Sequence, residues 1–561
     1  MDAAAPDRSR GFHRFLPTAL LLAFSACAFG YVTRITPPHL APPTPEDLRY
    51  DGATERVGPA YLGRRGKLWV MQVQGAPAQL GYRHARLTTP LMAEGDRRML
   101  DLFKTFVPSV AFRWALTGVV RLRYRNLDAG FPSTRRAEIF GQALGYADPF
   151  ADFLPTYQRL VYLHGLYDIA LAFERSPLLG CTAFAASGPA TRDGATPGHT
   201  IVGRNFDLDV DPWFDEEKTV QIVEPEKGLG FASVAWPGMT GVVTGMNAAG
   251  IWVSVNGARA SEPRSGGVPV VFTTRAVLEG ARSLDDALRI VSRDEPMVSH
   301  ILLLADGKTG ESMIVERAPG RPVGVVRHPS SMVLANHFRT SPLRDDPKDA
   351  RIRDITSTEA RQARMEELIA HHDGRIDPEV AMAILRDRSG IGDAPLPLGN
   401  RNAPDALMAT HSVVADLTAR VLWVSEGPHT LGHYRAIDLG ARLAEGEAAA
   451  GGEAAADLPA DAMLGDGSYE RYAQGVRVRH AAEQRVAEGQ LDAAVDLYGR
   501  ALALRDDDHM AWRGLALVED RLGHHEDARA AWARVLALAP EAPKARREAE
   551  EHAASPDEAQ P

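Results

Sequence analysis

The alternation of apolar and polar positions divides the chain into a helical part and a mixed part. Residues 62–179 show mostly helical periodicity, broken at Gly81, Pro90, Pro108, Pro132 and Pro155. From residue 181 onward, short apolar runs bounded by glycine, proline or asparagine predict strands instead. The predicted strands cover residues 181–186, 200–207, 219–223, 231–236, 241–244, 251–255, 301–305, 312–316, 333–337, 412–415 and 420–424.

Helices are predicted between these groups of strands. One covers residues 270–281, a second starts at Ser283, which we expect to cap it with Asp286 as its capping-box partner, and two more cover 357–371 and 378–386. The order of strands, helices, strands, helices and strands predicts an α+β fold with two sheets between helical layers.

The N-terminus carries an apolar run over residues 15–32, after three arginines and before a proline-rich segment. The run is near the lower limit for a membrane span, which typically needs about 20 apolar residues. Three interpretations stay open: a signal peptide cleaved at Ala26-Cys27-Ala28, an uncleaved anchor, or a lipoprotein signal ending at Cys27, which Phe24 fits poorly. We therefore expect residues 1–36 to be a signal peptide or membrane anchor, residues 37–61 a linker, and the protein exported, periplasmic or held at the cell envelope.

Residues 97–136 are rich in arginine, with Phe106, Phe112 and Trp114 between the basic positions. This composition favours a solvated basic face on helices that pack against the core. Contact with lipid headgroups is the alternative.

The C-terminal region has a different composition and an internal repeat. Residues 441–468 are rich in alanine, glycine and acidic residues and predict a linker. A 34-residue period then relates Gly489 to Gly523, Ala494 to Ala528, Tyr498 to Trp532, Ala501 to Val535 and Asp506 to Pro540. Over residues 469–545 it resembles the tetratricopeptide repeat, with an ordinary helical hairpin as the alternative. Two repeats imply a packing partner, either the catalytic domain or another protein, and residues 546–561 are predicted to be a disordered tail.

Composition and charge narrow the functional classes. With 561 residues, 45% of them apolar and 24% charged, the chain is globular and long enough for two or more domains. Its net charge of -10 argues against nucleic-acid binding. Its two cysteines leave no disulfide framework, because Cys27 lies in the apolar run, so we expect Cys181 to be a free thiol.

Cys181 follows Gly180 at the start of a predicted strand, where a thiol is well placed to act as a nucleophile. One way to activate it is a histidine, and the nominal candidates are His84, His164, His199, His300, His337 and His411. None of them lies in a papain-type signature. The other way is to cut the chain before Cys181, so that the new α-amine, with a pKa of about 8, becomes the base. Gly180 would tolerate a strained backbone at that bond.

Four motifs resemble the cysteine N-terminal-nucleophile hydrolases. They are Gly-Cys-Thr at 180–182, Gly-Arg-Asn-Phe-Asp at 203–207, Gly-Met-Asn-Ala-Ala-Gly-Ile at 245–251 ending in Asn256, and Leu-Ala-Asn-His at 334–337. The nearest relatives by this pattern are the isopenicillin N acyltransferases, with choloylglycine hydrolases and acid ceramidase as wider kin. The resemblance covers roughly residues 62–439. It implies a four-layer αββα sandwich, self-cleavage between Gly180 and Cys181, a retained small subunit at 62–180 and a catalytic domain at 181–440.

The resemblance also implies roles for individual residues. Cys181 is the nucleophile and, through its new amine, the acid and base. Arg204 lies near the thiol and Asp207 holds the α-amine. Asn256 stabilises the oxyanion together with backbone amides.

Two further positions complete the implied site. Asn336 matches a second polar residue. Arg361 fits the Ser/Thr-x-x-Arg helix pattern of residues 358–361, although Arg364 could take that place. Ala183 and Leu208 depart from residues common in relatives, which leaves the shape of the pocket, and so the substrate, open.

The expected activity is hydrolysis of a linear amide in an N-acyl small molecule, or transfer of its acyl group, through a thioester at Cys181. No metal or cofactor is required, and an amine or acyl-coenzyme A is the expected co-substrate. The alternatives are a histidine-assisted thiol hydrolase without self-cleavage and a non-catalytic envelope scaffold. The expected partners are a protein bound by the helical repeats and a membrane contacted by the N-terminal segment.

Overall fold

A computed structural model of the chain describes residues 27–172, 179–443 and 455–554. In these residues the strands form two sheets. The strands are β1 Leu48–Asp51, β2 Thr54–Val57, β3 Ala60–Arg65, β4 Leu68–Gly75, β5 Leu179–Ala186, β6 Ile201–Leu208, β7 Thr219–Pro225, β8 Phe231–Ala235, β9 Thr244–Asn247, β10 Ile251–Gly257, β11 His300–Asp306, β12 Ser312–Arg317, β13 Gly324–His328, β14 Ser331–Leu334, β15 Ala409–Asp416, β16 Val421–Ser425 and β17 Tyr434–Asp438. The larger sheet has the order β1-β2-β3-β4-β7-β8-β9-β10-β11-β12-β13, and the smaller has the order β14-β5-β6-β15-β16-β17.

Helices flank both sheets. They are α1 Pro77–Phe106, α2 Val110–Arg123, α3 Ser133–Gly145, α4 Thr156–His164, α5 Leu166–Ala172, α6 Trp213–Glu216, α7 Val270–Gly280, α8 Leu284–Arg293, α9 Pro347–Ile355, α10 Thr358–His371, α11 Pro378–Leu385, α12 Leu439–Arg442, α13 Ser468–Ala487, α14 Leu491–Leu504, α15 His509–Leu522, α16 His525–Ala537 and α17 Pro543–Ala553. Short 3-10 turns lie at Leu127–Gly130, Gly188–Thr191, Ile391–Asp393 and Ala462–Leu464.

The two sheets pack face to face over an apolar core, which includes Ala183 and Val202 of the smaller sheet and Trp252 and Ile301 of the larger. Helices α1, α3, α4, α7 and α8 cover the outer face of the larger sheet. Helices α10 and α11 cover the outer face of the smaller sheet. The predicted α+β fold with four layers, αββα, is therefore confirmed.

The strands that carry the predicted site are at the expected places. Strands β5 and β6 form the predicted hairpin, and Ser283 caps α8 by accepting a hydrogen bond from Asp286 N at 3.2 Å. The strand predicted at 241–244 instead begins at its last residue, because Val242 N donates to Val271 O of α7 outside the sheet. Strands β13 and β17 were not predicted.

The N-terminal part differs from the prediction. Strands β1 to β4 occupy residues 48–75, so the linker predicted at 37–61 is wrong from residue 48 onward and the helical region begins at residue 77. Val57, Ala60 and Leu62 are buried, and burial alternates along β3 as in a half-buried strand.

Two predicted breaks lie inside α1. Pro90 does not end the helix. A side chain at Gly81 would place its Cβ 1.8 Å from Glu138 O of α3, so this glycine permits a close helix crossing.

Helix α2 departs in part from the favoured interpretation of residues 97–136. None of its side chains is fully buried, although the partly buried Val120 packs against the core. The apolar run at 15–32 lies outside the described residues, except for residues 27–32, which are helical. Among the helices within the described ranges, none combines the length and apolar character needed to cross a membrane.

The C-terminal helices reproduce the 34-residue period. Gly489 and Gly523 both adopt left-handed backbone conformations, with φ of 76° and 84°. The large residues Tyr498 and Trp532 are both buried. The period is thus a structural repeat, and its membership of the tetratricopeptide family stays a prediction.

This helical module packs against the catalytic sandwich. Asn400 Nδ2 donates to Ala539 O at 2.8 Å, and Arg505 Nη2 donates to Leu398 O at 2.8 Å. The implied packing partner therefore includes the catalytic domain. Helix α17 extends to Ala553, so the predicted tail is wrong for residues 546–553.

The segment predicted as a linker at 441–468 is attached to the smaller sheet where the structure describes it. Leu458 and Tyr434 exchange backbone hydrogen bonds of 2.9 and 3.1 Å. Asp457 accepts from Arg435 Nη1 at 2.9 Å. Residues 444–454 of this segment lie outside the described part of the chain.

Candidate active site

Two neighbouring strands place the predicted side chains on opposite faces of one sheet. Cys181 on β5 is opposite Phe206 on β6, and Gly180 is opposite Asp207. Because successive side chains of a strand alternate, Cys181 and Arg204 point into the space between the sheets. Asp207 points toward the helices that cover the smaller sheet.

Arg204 is the neighbour of the thiol. Its Nη2 lies 3.8 Å from Cys181 Sγ, and the guanidinium also donates to Val243 O at 2.6 Å and to Val255 O. Both side chains are fully buried. Burial raises the pKa of the Cys181 thiol and the Arg204 charge opposes that rise. The arginine therefore favours the thiolate, the form that reacts.

The backbone of Cys181 is held by three side chains. Its N–H donates to Asn336 Oδ1 at 2.8 Å. Its carbonyl oxygen accepts from Arg361 Nη1 at 2.8 Å and from Asn256 Nδ2 at 3.3 Å. The asparagines and the arginine that the sequence predicts thus meet at one residue.

Arg361 binds the site from the helical layer. Its guanidinium also donates to Thr182 Oγ1 at 2.7 Å and to Asn336 Oδ1 at 2.9 Å. Arg364 instead pairs with Asp387 at 2.8 Å and Asp393 at 2.7 Å. Of the two arginines, the structure places Arg361 at the site.

Asp207 is buried beside Gly180. A Cβ added to Gly180 would lie 3.6 Å from Asp207 Oδ2 and 3.7 Å from Arg361 Nη2. Burial raises the pKa of Asp207 to about 7, against the lowering effect of Arg361. The carboxyl group therefore lies near the backbone of residues 180 and 181, where a new α-amine would emerge.

Gly180 differs from expectation in one respect. It is an extended residue of β5 rather than a strained one. A Cβ at this position would make only ordinary van der Waals contacts. The backbone conformation therefore does not require glycine at position 180. The notable feature of Gly180 is its position next to Asp207 and Arg361.

The six candidate histidines have other partners. His84 accepts from Gly238 N, His164 contacts Thr240, His199 contacts Asp416, His300 contacts Val298 O, His337 contacts Thr358 and His411 contacts Thr244. Burial lowers the pKa of His84 and His300 to about 3, and that of His164 and His337 to about 4. Within residues 27–172, 179–443 and 455–554, no histidine hydrogen bonds to Cys181.

Sequence reasoning assigned no role to three residues around the site. Thr182 accepts from Arg361, and Thr358 Oγ1 accepts from Asn336 N at 2.7 Å. Both threonines lie inside quoted motifs, so a signal existed for them. Among the described residues the buried Tyr167 hydroxyl has no hydrogen-bond partner, and Cys181 and Arg204 act on it electrostatically. Nothing in the sequence around Tyr167 points to the site.

Potential metal ligands come together elsewhere in the chain. Among the residues that the structure describes, the ligand atoms of Glu519, His524 and Asp527 lie within 4.8 Å of one another. This group belongs to helices α15 and α16 and their connection, not to the site around Cys181.

Comparison with known proteins gives a family for part of the chain. Residues 195–427 match the family model described as acyl-coenzyme A:6-aminopenicillanic acid acyl-transferase. The match begins after Cys181 and includes the other five predicted site residues. An uncharacterized protein of Archaeoglobus fulgidus is 25% identical over 264 residues, which are 43% of this chain. The chain covers only 42% of the length of that relative.

Two solved structures are similar over part of the chain. One is a Caenorhabditis elegans ortholog of N-acylethanolamine-hydrolyzing acid amidase, with 18% identity and a TM-score of 0.31 over 42% of this chain and 93% of its own. The other is a mutant conjugated bile acid hydrolase from Clostridium perfringens, with 12% identity and a TM-score of 0.27 over 46% of this chain and 94% of its own.

The sheet order, the helical layers and the sequence match describe the same region. Residues 195–427 are therefore similar to the acyl-coenzyme A:6-aminopenicillanic acid acyl-transferase family, and they lie within a layered αββα fold.

Proposed function

We propose that this protein is a cysteine amidohydrolase or acyltransferase that activates itself by cutting its own chain before Cys181. The observation that carries the proposal is the arrangement around this one residue. Arg204 lies beside its sulfur, and Asn336 binds its backbone nitrogen. Asp207 lies beside the peptide unit that would be cut.

Self-cleavage would start with attack of Cys181 Sγ on the carbonyl carbon of Gly180. A carbon–sulfur bond forms, the carbon–nitrogen bond breaks, and the thiol proton moves to the Cys181 nitrogen. Water then hydrolyses the thioester, which leaves a carboxylate on Gly180 and a free thiol with an α-amine on Cys181.

The mature site would use the same atoms on a substrate amide. The α-amine accepts the thiol proton, and sulfur attacks the substrate carbonyl. The oxyanion receives a hydrogen bond from Asn256 Nδ2. In the uncut chain this group donates to the Cys181 carbonyl oxygen. The α-ammonium then protonates the leaving amine, and water or another amine resolves the thioester.

Burial of the thiol explains why cleavage would be needed. Cys181 is 0% exposed, and Tyr167 of α5 packs against the same apolar cluster. Helix α5 precedes Gly180 in the chain, so a cut at Gly180 would release the C-terminal end of this covering segment. Substrate could then reach the sulfur.

Intact mass and a denaturing gel test the proposal. We expect the purified full chain to give two fragments, the second beginning at Cys181, and Cys181→Ala to remain one chain. The matched control is Cys27→Ala, which removes the other cysteine and should be cut like the wild type. A wild-type chain that stays whole would contradict the proposal.

The rival functions give different results in the same experiment. A histidine-assisted thiol hydrolase would remain uncut yet react with iodoacetamide at Cys181. An envelope scaffold would remain uncut and leave this buried thiol unalkylated.

The substrate class can be tested on the processed protein. The description of the matching family model supports acyl-coenzyme A and an amine as one substrate pair. An N-acyl amide with water is the other pair that we propose. Screening simple N-acyl amides and penicillins, with and without coenzyme A, would separate hydrolysis from transfer. We also propose export to the cell envelope, because of the basic and apolar N-terminus.

A further inference from the structure

Helix α2 exposes an unusual amount of apolar surface. Val110, Phe112, Trp114, Val119 and Leu122 are all exposed, with Trp114 at 68% and Val119 at 61%. None of the residues of the helix is buried. Several large apolar side chains exposed together on one short helix indicate an interaction site. We call these five side chains the α2 surface.

The described end of the N-terminal apolar run lies against helix α2. The ring of Phe29 lies 5.3 Å from the guanidinium of Arg121, and a Cβ on Gly118 would lie 3.7 Å from it. Tyr31 and Val32 are exposed beside Phe29 in the chain. The described end of the apolar run therefore packs against helix α2.

The arginines of this region distinguish a lipid surface from an ordinary protein contact. Arg113 donates to the carbonyl oxygens of Val107 and Pro108, Arg123 donates to Pro263 O, and Arg125 donates to Leu122 O. In the described part of the chain, no carboxylate forms an ion pair with these three arginines or with Arg121. By contrast, Arg97 and Arg98 on α1 pair with carboxylates.

Charge and length together favour one occupant. The whole chain has a net charge of -10, yet the described contacts of Arg113, Arg123 and Arg125 are hydrogen bonds to backbone carbonyl oxygens. Guanidinium groups beside exposed aromatic and aliphatic side chains suit the boundary between lipid phosphates and acyl chains. With 14 residues, α2 is about 21 Å long, too short to span a bilayer but suited to lie along its surface.

We propose that the α2 surface lies in the headgroup boundary of an anionic membrane. The proposed contact is separate from the N-terminal run, whose final residues pack on the same helix at Gly118 and Arg121. It would hold the catalytic domain against the bilayer whether or not the N-terminal segment is removed.

Single-cysteine probes test this in the full chain, because only Cys27 and Cys181 must be replaced. On a Cys27→Ser, Cys181→Ala background, Val119→Cys or Ile391→Cys would carry an environment-sensitive nitrobenzoxadiazole label. Ile391 is the matched control, since it is 55% exposed and lies outside the α2 surface. Vesicles of phosphatidylglycerol and phosphatidylcholine, with nitroxide-labelled lipids as quenchers, report insertion.

We expect the label at 119 to shift its emission to shorter wavelength and to be quenched by the lipids, and the label at 391 to do neither. Adding Phe112→Glu and Trp114→Glu should abolish the shift at 119, and vesicles of phosphatidylcholine alone should weaken it.

Three results would overturn the proposal. The label at 119 could stay in water while the protein sediments with vesicles, so that only the N-terminal run binds lipid. The label could be shielded without vesicles in a monomer, so that residues 1–26 cover the surface. It could also be shielded in a dimer, so that a second copy does.

Discussion

Arg204 and Asp207 lie three residues apart on β6, so they project from opposite faces of the same strand. Arg204 contacts the sulfur of Cys181 between the sheets, and Asp207 lies near the backbone of Gly180 on the helical side. One strand thus separates the group that would tune the nucleophile from the group that would hold its amine. In a strand, the Arg-x-x-Asp spacing places the two side chains on opposite faces, whereas in a helix the same spacing would place them on one face.

The amide of Asn256 offers a direct test of oxyanion stabilisation. Removal of one such donor typically costs about 10²–10³ in kcat. We expect Asn256→Ala to lower kcat by about that factor with little change in KM, because the donor acts on the charged intermediate. Rates must be divided by the processed fraction measured by mass. An unchanged kcat would exclude this role.

The raised pKa of Asp207 predicts how stability depends on pH in the uncut Cys181→Ala protein. The ordinary pKa is 3.8 and the folded value is about 7, so the folded state binds the proton more tightly than the unfolded state. The stability from this group is therefore present at low pH and is lost as the pH rises from about 4 to about 7.

Urea midpoints across that pH range provide the measurement. Adding Asp207→Asn should make the decline shallower, because asparagine does not titrate. Asp168 and Asp349 also have pKa values of about 7, but they are present in both proteins and their effects cancel. If the urea midpoints of the two proteins fell equally with pH, Asp207 would not be the group that titrates.

The identities of the site residues could be predicted from sequence, because the motifs fix residue types at set distances from Cys181. Their directions could be predicted only within the hairpin, where alternation applies. The sequence could not decide whether Arg361 or Arg364 belongs to the site. Which of the two reaches Thr182 depends on how α10 lies across the smaller sheet. Tyr167 was missed because only packing brings α5 to the thiol.

Helices α1 and α3 approach each other more closely than most helix pairs. A Cβ on Gly141 would lie 1.9 Å from Ala78 O, and one on Gly81 would lie 1.8 Å from Glu138 O. Each helix therefore supplies a glycine against the backbone of the other. This pair packs on the larger sheet, beside the strands that the sequence pattern did not predict.

Two helix glycines should respond in opposite ways to the same change. Gly141→Ala should lower the free energy of unfolding by about 1–3 kcal/mol, because the backbones must move apart. In the described part of the chain, and outside the backbone of its own helix, no atom lies within 4 Å of a Cβ added to Gly499 in α14. Gly499→Ala should therefore raise the free energy of unfolding by about 0.5–1 kcal/mol. Urea unfolding of both variants measures the difference. Equal effects would show that the crossing is looser than described.

The strands of the catalytic region could be predicted because they are short, apolar and clearly bounded. Strands β1 to β4 could not, because their burial is partial and prolines precede them. Proline and glycine predict breaks within α1, but Gly81 allows close packing there instead. At these positions tertiary packing overrides the tendency of proline and glycine to end a helix.

At the scale of the molecule, the helical module is fixed to the catalytic domain through Glu541. Glu541 Oε1 accepts from Arg401 N at 2.9 Å and lies 3.0 Å from His509 Nε2. Arg401 also donates to Asp209 Oδ2 at 2.8 Å, two residues beyond Asp207 in the chain. The module is therefore connected to the loop that adjoins the candidate site.

Glu541→Ala should destabilise the protein by about 1–3 kcal/mol, because it removes the acceptor of the partly buried Arg401 N–H and the partner of the buried His509 ring. The matched control is Asp354→Ala, which removes an ion pair with Arg547 whose side chains are 39% and 54% exposed. That change should stay within about 0.5 kcal/mol. Thermal or urea unfolding compares the two. Similar losses would mean that Glu541 does not support the docking.

Strand β4 pairs in parallel with β7 along seven residues, from Trp69 opposite Thr219 to Gly75 opposite Pro225. A cut between Gly180 and Cys181 would leave these strands on different polypeptides within one continuous sheet. Unfolding would then change from a unimolecular to a dissociative reaction, and its reversal would require two chains to meet. The cut protein would therefore be kinetically stable, because its two chains separate slowly. The uncut chain could refold alone at any dilution.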